Sequence, residues 1–170
     1  QIMAMAMEME RIFHGNPSGL DITVATLGEC IEFYRGPPTI THSLPHLPWD
    51  MTIIDSGIQS NTKEMVEQVA LKRPEVDPIL SDMGQLAKHI STVLHEPETL
   101  GPLLTQNHQL LRQLGVSTPA LDHWVDRAIK LGAKGAKLSG SGGGGIVIVL
   151  TEHSESLIAE AQDAGCHAWV

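Results

Sequence analysis

Apolar residues recur at helical spacing in three long stretches of the chain. The first stripe comprises Ile79, Met83, Leu86, Ile90 and Val93. The second comprises Leu100, Leu103, Leu104, Leu110, Leu111 and Leu114, together with the polar Asn107, and Gly115 follows as a helix stop. The third comprises Leu121, Trp124, Val125, Ala128 and Ile129, with Ser117 as the expected N-cap and Pro119 in the first turn. Spacing of this kind predicts amphipathic helices that pack one face against a core.

Shorter segments show the alternation or the β-branched runs that are typical of strands. Strands are predicted at residues 29–35, 51–55, 146–150 and 166–170, with a further strand just before the glycines at 140–145. Shorter helices are predicted at residues 20–27, 62–72 and 154–164. Residues 37–48 hold four prolines and are expected to be a connection. Pro45 lies between His42 and His46, so these histidines cannot form the usual helical metal pair and are expected on a surface loop.

The order of these elements predicts the fold of residues 49–170. It runs strand, helices, strand, strand, helix, strand. That order is typical of an α+β, ferredoxin-like split βαβ plan, with extra helices inserted after the first helix. One sheet with helices on a face is then expected, and the glycine run becomes the hairpin between the second and third strands.

The glycine run, within KLSGSGGGGIVIVL at residues 137–150, has two opposed interpretations. Its Gly/Ser composition is typical of a flexible linker. The β-branched run that follows it instead indicates a tight connection between two strands of one sheet. Glycines there allow positive φ and close approach of backbone N–H groups to a ligand. The flanking strands favour an ordered turn, and we expect that turn to form part of a site rather than a plain hairpin connection.

Composition and charge argue against some classes of protein. With 20 acidic and 11 basic residues the formal charge is −9, which disfavours nucleic acid and anionic membranes as partners. A nucleotide is compatible with this charge, because backbone N–H groups and Mg²⁺ can hold phosphates. No apolar run approaches the length of a membrane span. Cys30 and Cys166 are expected to be buried free thiols, which fits a cytoplasmic location.

A second motif, HGNPSGLD at residues 14–21, carries a candidate catalytic acid. Asn16, Pro17 and Ser18 form a helix entry, and Asp21 then lies in the first turn. The helix dipole favours a carboxylate at that position. Taken alone, the motif is better explained as an ordinary acidic residue at the start of a short helix.

Together the two motifs resemble one family, the GHMP small-molecule kinases, and within it the mevalonate kinases. HGNPSGLD is similar to the region of the family's second and third motifs. KLSGSGGGG is similar to its C-terminal glycine motif, with Ser139 and Ser141 where the family often carries Thr and Ala, and DSGIQSNTKEMV at residues 55–66 resembles the segment between them. The resemblance implies that residues 49–170 are the C-terminal kinase domain. Residues 1–48 would then be a strip of the N-terminal kinase domain.

The resemblance also implies a reaction, the transfer of the γ-phosphoryl group of ATP to the primary hydroxyl of (R)-mevalonate in isoprenoid precursor synthesis. Asp21 occupies the position of the catalytic carboxylate, which accepts the hydroxyl proton or positions the hydroxyl. Glu10, eleven residues earlier, occupies the position of the Mg²⁺ ligand. The residues implied on the substrate and phosphate side of the cleft are His14, Ser18, Thr62, Gly140, Ser141, Gly142 and Gly143.

The sequence departs from the family's pattern in two respects. Glu29 stands where the family usually has a second glycine after Gly28. The larger departure is a missing loop. The 170 residues hold no Pro-x-x-x-Gly-Leu-Gly-Ser-Ser-Ala loop for ATP, and the lysine and serine that accompany this loop have no counterpart either. We therefore expect a C-terminal fragment that is inactive alone and forms a homodimer or associates with an N-terminal half. Two alternatives stay open. One is another GHMP kinase, acting on phosphomevalonate, homoserine or galactose, and the other is a non-catalytic module that binds a metabolite or a partner chain.

Overall fold

The computed structural model of the chain describes residues 5–6, 8–9, 18–36, 39–45 and 47–170. The backbone divides into two compact units, Gln1–Pro48 and Trp49–Val170. Helices and antiparallel sheets occur together, which confirms the predicted α+β class. None of the helices described is both long enough and apolar enough to cross a membrane. The assignment of residues 1–48 to an N-terminal kinase domain stays a prediction.

A helix and a two-stranded antiparallel hairpin follow one another in the first unit. Helix α1 spans Leu20–Leu27 and stops at Gly28, whose left-handed backbone lets its N–H donate to the Val24 carbonyl at 2.8 Å. Strands β1, Cys30–Tyr34, and β2, Ile40–Leu44, then pair along their whole length. The predicted helix and first strand are thereby confirmed.

Strand β2 shows that the prediction of a plain connection at residues 37–48 was wrong. The four prolines of this segment lie before and after the strand, so every residue of 39–44 keeps the backbone N–H that a ladder requires. His42 therefore lies on a strand, where it is exposed and its ring is edge-on to Tyr34 at 6.2 Å between centroids. His46 lies outside the described residues.

The second unit is built on a four-stranded antiparallel sheet, whose strands are β3 Thr52–Asp55, β4 Gly135–Ser139, β5 Ile146–Leu150 and β6 His167–Trp169. Their spatial order is β4-β5-β3-β6. This order confirms the ferredoxin-like plan. That plan needs one helix between β3 and β4, whereas this chain has α2 Thr62–Leu71, α3 Asp77–Thr92, α4 Pro97–Leu114 and α5 Pro119–Lys130. Helix α6, Glu155–Asp163, connects β5 to β6.

Alternate residues of the sheet are buried under helices. Ile54, Leu138 and Val147 have no exposed surface, while their neighbours along each strand stay partly exposed. Apolar residues of α5 and α6 complete this core, namely Leu121, Trp124, Val125, Ala128, Leu157 and Ala161. A slip of one residue in the pairing would turn the buried set to the opposite face, so burial specifies the register.

Helix α4 and strand β4 touch backbone to backbone where each carries a glycine. A Cβ atom on Gly101 would overlap the carbonyl of Lys134, and a Cβ atom on Gly135 would overlap the carbonyl of Gly101. Any side chain at either position would separate the helix from the strand. The two glycines therefore set how closely α4 approaches the sheet.

Because of this approach, side chains of α4 reach the outer edge of β4, a terminal strand of the sheet. Thr105 Oγ1 accepts the N–H of Ala136 at 3.2 Å, and His108 Nδ1 accepts the N–H of Leu138 at 3.3 Å. An edge strand leaves such N–H groups without ladder partners. Helix α4 satisfies them and closes this edge to pairing with another chain.

Helix α5 begins one residue later than predicted. Its N-cap is Thr118, in extended backbone, whose hydroxyl accepts the N–H of Leu121 at 3.3 Å. Ser117, the expected cap, donates instead to the carboxylate of Asp122 at 2.6 Å. The serine was mistaken for the cap because both residue types favour that position, and only the tertiary contact distinguishes them.

The two cysteines are free thiols, as predicted, but both are half-buried rather than buried. Cys30 lies on the two-stranded hairpin of the first unit. Cys166 lies just before β6, at the margin of the core of the second unit.

Candidate active site

The glycine run forms the loop of the predicted hairpin between β4 and β5. Its backbone is bonded to other segments, because Gly143 N–H donates to the Val116 carbonyl at 2.8 Å and Gly145 N–H donates to the Ile58 carbonyl at 2.9 Å. Ser56 donates twice to the Gly145 carbonyl, from its N–H at 3.0 Å and from its hydroxyl at 2.7 Å. A flexible tether would not keep these bonds, so the linker interpretation is wrong.

Two of the glycines are required by close contact as well as by conformation. Gly142 is buried with φ 82°, and a Cβ atom there would overlap the carbonyl oxygen of Val116. Gly144 is buried too, and a Cβ atom there would overlap the carbonyl oxygen of Ile58. The hairpin backbone thus lies directly against two neighbouring backbones, an arrangement that only residues without a Cβ allow.

A cluster of hydroxyl groups lies beside the hairpin at the start of α2. Ser141 Oγ is 3.2 Å from Thr62 Oγ1 and 3.3 Å from Ser60 Oγ, and the Ser60 hydroxyl donates to the Gly142 carbonyl. Thr62 and Ser141, both predicted from the sequence, are therefore in contact. Ser60 was missed, since nothing in the polar turn before α2 distinguishes it from the other serine of that turn, Ser56.

Four amide groups of the hairpin loop remain able to donate. Among the residues that the structure describes, no hydrogen bond is donated by the N–H of Gly140, Ser141, Gly142 or Gly144. A buried N–H without an acceptor costs about 1–3 kcal/mol, so a ligand that supplies an oxygen stabilises this loop. Successive N–H groups of this kind, next to hydroxyls, form a concave donor surface suited to phosphate or carboxylate oxygens.

The charged side chains near the hairpin lie on the sheet face opposite the buried core. Lys137 and Asp55 alternate with the buried Leu138 and Ile54 along their strands. Lys137 is half-buried, and burial lowers the pKa of its ammonium group. No carboxylate of the described residues lies within ion-pair distance of Lys137. Asp55 accepts the N–H of Gly57 at 3.0 Å, which fixes the turn that follows β3.

In the first unit, Asp21 lies where the sequence predicts it. It is exposed in the first turn of α1, after Gly19 in left-handed conformation with φ 81°. The hydroxyl of Ser18 accepts the N–H of Leu20 at 3.1 Å, which shapes the entry to the helix. His14 lies outside the described residues, and a cleft shared by Asp21 and the glycine hairpin stays a prediction.

The predicted magnesium site also stays a prediction. Glu10, its expected ligand, lies outside the described residues. Within the described ranges there is no group of three or more His, Cys, Asp or Glu side chains that could hold a metal ion.

One buried polar residue near the hairpin, His108, escaped the sequence analysis. Asn107 was placed in the helical stripe, whereas the structure leaves it half-buried and buries His108 to 1% exposure. Both positions fit the i+3 or i+4 spacing. The available signal was that His108 lies four residues after Leu104 and three before Leu111, both of which are buried.

The chain is similar to known kinases in sequence. Residues 86–169 match the family described as GHMP kinases C terminal. The mevalonate kinase of Thermococcus sibiricus is 33% identical over 172 aligned residues, which cover 95% of this chain and 51% of the relative. That of Arabidopsis thaliana is 32% identical over 158 aligned residues, 85% of this chain and 41% of the relative. The chain thus spans about half the length, or less, of these relatives.

Solved structures agree with the sequence match. The crystal structure of Methanococcus jannaschii mevalonate kinase superposes with a TM-score of 0.85 at 26% identity, covering 99% of this chain and 54% of that one. That of L. major mevalonate kinase in complex with R-mevalonate gives 0.77 at 28% identity, covering 92% and 52%. Streptococcus pneumoniae phosphomevalonate kinase gives 0.75 at 17% identity, covering 91% and 55%, which shows the fold alone. Residues 86–169 of the chain therefore match the C-terminal domain of the GHMP kinases, and the chain is similar to mevalonate kinases over 95% of its length.

Proposed function

We propose that the protein takes part in the ATP-dependent phosphorylation of the primary hydroxyl of (R)-mevalonate. The observation that carries this proposal is the 33% identity to a mevalonate kinase across 95% of the chain. The L. major enzyme, crystallised with R-mevalonate, supports the choice of substrate. The likeness to phosphomevalonate kinase rests on 17% identity and gives no comparable reason to choose that substrate.

In this proposal Asp21 accepts the proton of the mevalonate hydroxyl or positions that hydroxyl for attack. Its place in the first turn of α1 supports the role, because the positive end of the helix dipole stabilises a carboxylate there. Its exposure leaves it free to reach a substrate. Phosphoryl transfer depends mostly on positioning and charge neutralisation, so one well-placed carboxylate is sufficient on the side of the attacking hydroxyl.

The glycine hairpin supplies donors to the oxygens of the substrate or of the transferring phosphoryl group. The N–H groups of Ser141, Gly142 and Gly144 have no acceptor among the described residues. Negative charge spreads over the equatorial oxygens in the transition state, and donors that are already in place stabilise it without reorganisation. Mg²⁺, which neutralises phosphate charge when it accompanies ATP, enters the proposal through Glu10 alone.

The partners in this proposal are mevalonate and ATP. A homodimer, or association with an N-terminal kinase half, stays a prediction. The two free cysteines support a reducing compartment such as the cytoplasm.

To test this proposal, the whole reading frame in which residues 1–170 are encoded is expressed, and the release of ADP from Mg-ATP by its product is measured. With (R)-mevalonate we expect turnover of roughly 1–100 per second, as for other kinases, and far less with phosphomevalonate or homoserine. Faster turnover with either of those would replace mevalonate as the substrate. Calorimetric binding of mevalonate without any ADP release would favour the non-catalytic module. The Asp21→Asn protein is the matched control, since it should bind mevalonate and release little ADP.

A further inference from the structure

A buried histidine connects helix α4 to the strand that leads into the glycine hairpin. His108 Nε2 lies 3.0 Å from Asp122 Oδ1, and His108 Nδ1 lies 3.3 Å from the backbone N of Leu138. A backbone N–H can only donate, so Nδ1 is the acceptor and Nε2 carries the proton that is donated to Asp122. Each ring nitrogen thus has one defined partner, and the ring is held in a single tautomer.

The carboxylate of Asp122 binds more than the histidine. The Ser117 hydroxyl donates to Oδ1 at 2.6 Å, and Arg112 Nε lies 3.1 Å from Oδ2. His108 and Arg112 belong to α4, Ser117 to the connection after it, and Asp122 to α5. One carboxylate therefore fixes two helices and the connection between them.

The residues bound by Asp122 and by His108 lie next to the segments that hold the glycine hairpin in place. Ser117 follows Val116, whose carbonyl accepts the N–H of Gly143 at 2.8 Å. Leu138, held by the other nitrogen of His108, comes two residues before Gly140, where the loop starts. The His108–Asp122 pair thus fixes the strand that enters the loop and the connection on which the loop rests.

We propose that His108 and Asp122 are positioning residues for the glycine hairpin, which hold the N–H groups of Ser141, Gly142 and Gly144 where they receive an oxygen of the ligand. The identity of that ligand rests on the proposed function, whereas the positioning is a property of this chain alone. The pair does not touch the substrate, since His108 is buried and its two nitrogens are already occupied. Its effect is transmitted through Leu138 and through Val116 with Ser117.

The test compares His108→Gln with Thr105→Val. Thr105 lies one turn earlier on α4 and accepts the N–H of Ala136 from the same edge strand at 3.2 Å. It contacts neither Asp122 nor the connection after α4 by any hydrogen bond of the described residues. Thr105→Val is therefore a matched control, which removes a similar bond to β4 without disturbing the network.

The first measurement is amide hydrogen exchange of the chain by NMR, with the amides of β5 as an internal reference. His108→Gln should raise exchange at Gly143, relative to β5, by about tenfold or more, because the Val116 carbonyl is no longer fixed. Thr105→Val should leave this ratio within about twofold. An unchanged ratio in His108→Gln, or an equal rise in Thr105→Val, overturns the proposal. If His108→Gln does not fold, Asp122→Asn decides the question by the same criterion, since it keeps the volume of the side chain.

The second measurement is steady-state kinetics of the complete protein. His108→Gln and Asp122→Asn should each lower kcat/KM by about tenfold or more. The double variant should have about the same kcat/KM as the more impaired single variant, because both residues act through one network. Additive losses, or an equal loss in Thr105→Val, contradict the proposal. Failure of the unaltered protein to phosphorylate mevalonate would refute the proposed function only, since the exchange experiment still decides the positioning.

Discussion

Replacing single glycines of the hairpin by alanine separates the effect of conformation from that of contact. Gly142 has φ 82°, and a Cβ atom there would overlap the carbonyl oxygen of Val116. Gly140 has φ 92°, but a Cβ atom there has nothing within 4 Å. Gly140→Ala is thus a matched control, which changes the backbone preference without creating the contact.

The two substitutions should differ by the free energy of the contact that Gly142→Ala disrupts. At both positions alanine must adopt a left-handed backbone, which costs about 1–2 kcal/mol and is offset by about 0.4–1 kcal/mol from the less flexible unfolded chain. Gly142→Ala must also displace the Val116 carbonyl, which accepts the N–H of Gly143 at 2.8 Å. A buried N–H that loses its acceptor costs about 1–3 kcal/mol. We expect the free energy of unfolding to fall by about 2–4 kcal/mol in Gly142→Ala and by about 1 kcal/mol in Gly140→Ala.

Urea denaturation followed by circular dichroism measures both values. The dependence of the unfolding free energy on urea should be the same in both variants, so that their midpoints compare directly. Equal midpoints for Gly142→Ala and Gly140→Ala would show that the Val116 carbonyl does not restrict the loop, and the reasoning would be refuted.

Three further perturbations address the catalytic acid, the buried histidine and the contact between helix and strand. In the complete protein, Asp21→Asn should lower kcat by a factor on the order of 10²–10⁴ and leave mevalonate binding nearly intact. If steady-state kinetics give near-normal turnover, Asp21 has no catalytic role and is only a charged residue at the start of a helix. Burial lowers the pKa of His108 in the folded chain, so the unfolded chain binds more protons below the ordinary value of about 6.5. The unaltered chain should therefore lose part of its advantage in free energy of unfolding over His108→Gln as the pH falls from about 7.5 to about 5. Urea denaturation that gives the same difference at both pH values would contradict this. Gly101→Ala should lower the free energy of unfolding by about 1–3 kcal/mol, because its Cβ atom meets the Lys134 carbonyl. The control is Gly84→Ala in the middle of α3, where a Cβ atom has open space, and it should raise the free energy of unfolding by about 0.5–1 kcal/mol. Equal shifts of the melting temperature in the two variants would argue against the close approach of α4 and β4.

The elements that were predictable are those whose signal is local. Helices α3 and α4 follow from apolar spacing, and the stop at Gly115 follows from the left-handed backbone that glycine allows. The β-branched run of β5 and the presence of a turn before it likewise need no information from distant residues. Their order along the chain leaves few topologies, because a strand pair joined by a short loop must be antiparallel.

The elements that were missed depend on a partner distant in sequence. Strand β2 is polar and mostly exposed, so pairing with β1 defines it rather than its own pattern. Ser117 and Thr118 are equally good caps until the carboxylate of Asp122 engages the serine. His108 and Asn107 both fit the helical stripe, and only the N–H of Leu138 and the carboxylate of Asp122 favour burial of the histidine.

The glycine hairpin has a local signal for its position, but its conformation depends on partners that are distant in sequence. Its position between two strands was predictable, yet nothing in a run of glycines distinguishes one from the next. Gly140 faces open space, Gly142 meets the Val116 carbonyl and Gly144 meets the Ile58 carbonyl. These contacts come from two separate segments, one after α4 and one after β3, so the conformation of the loop depends on the folding of the whole second unit. A stretch with the composition of a linker can therefore be ordered, because the surrounding backbone supplies the constraints that its own side chains do not.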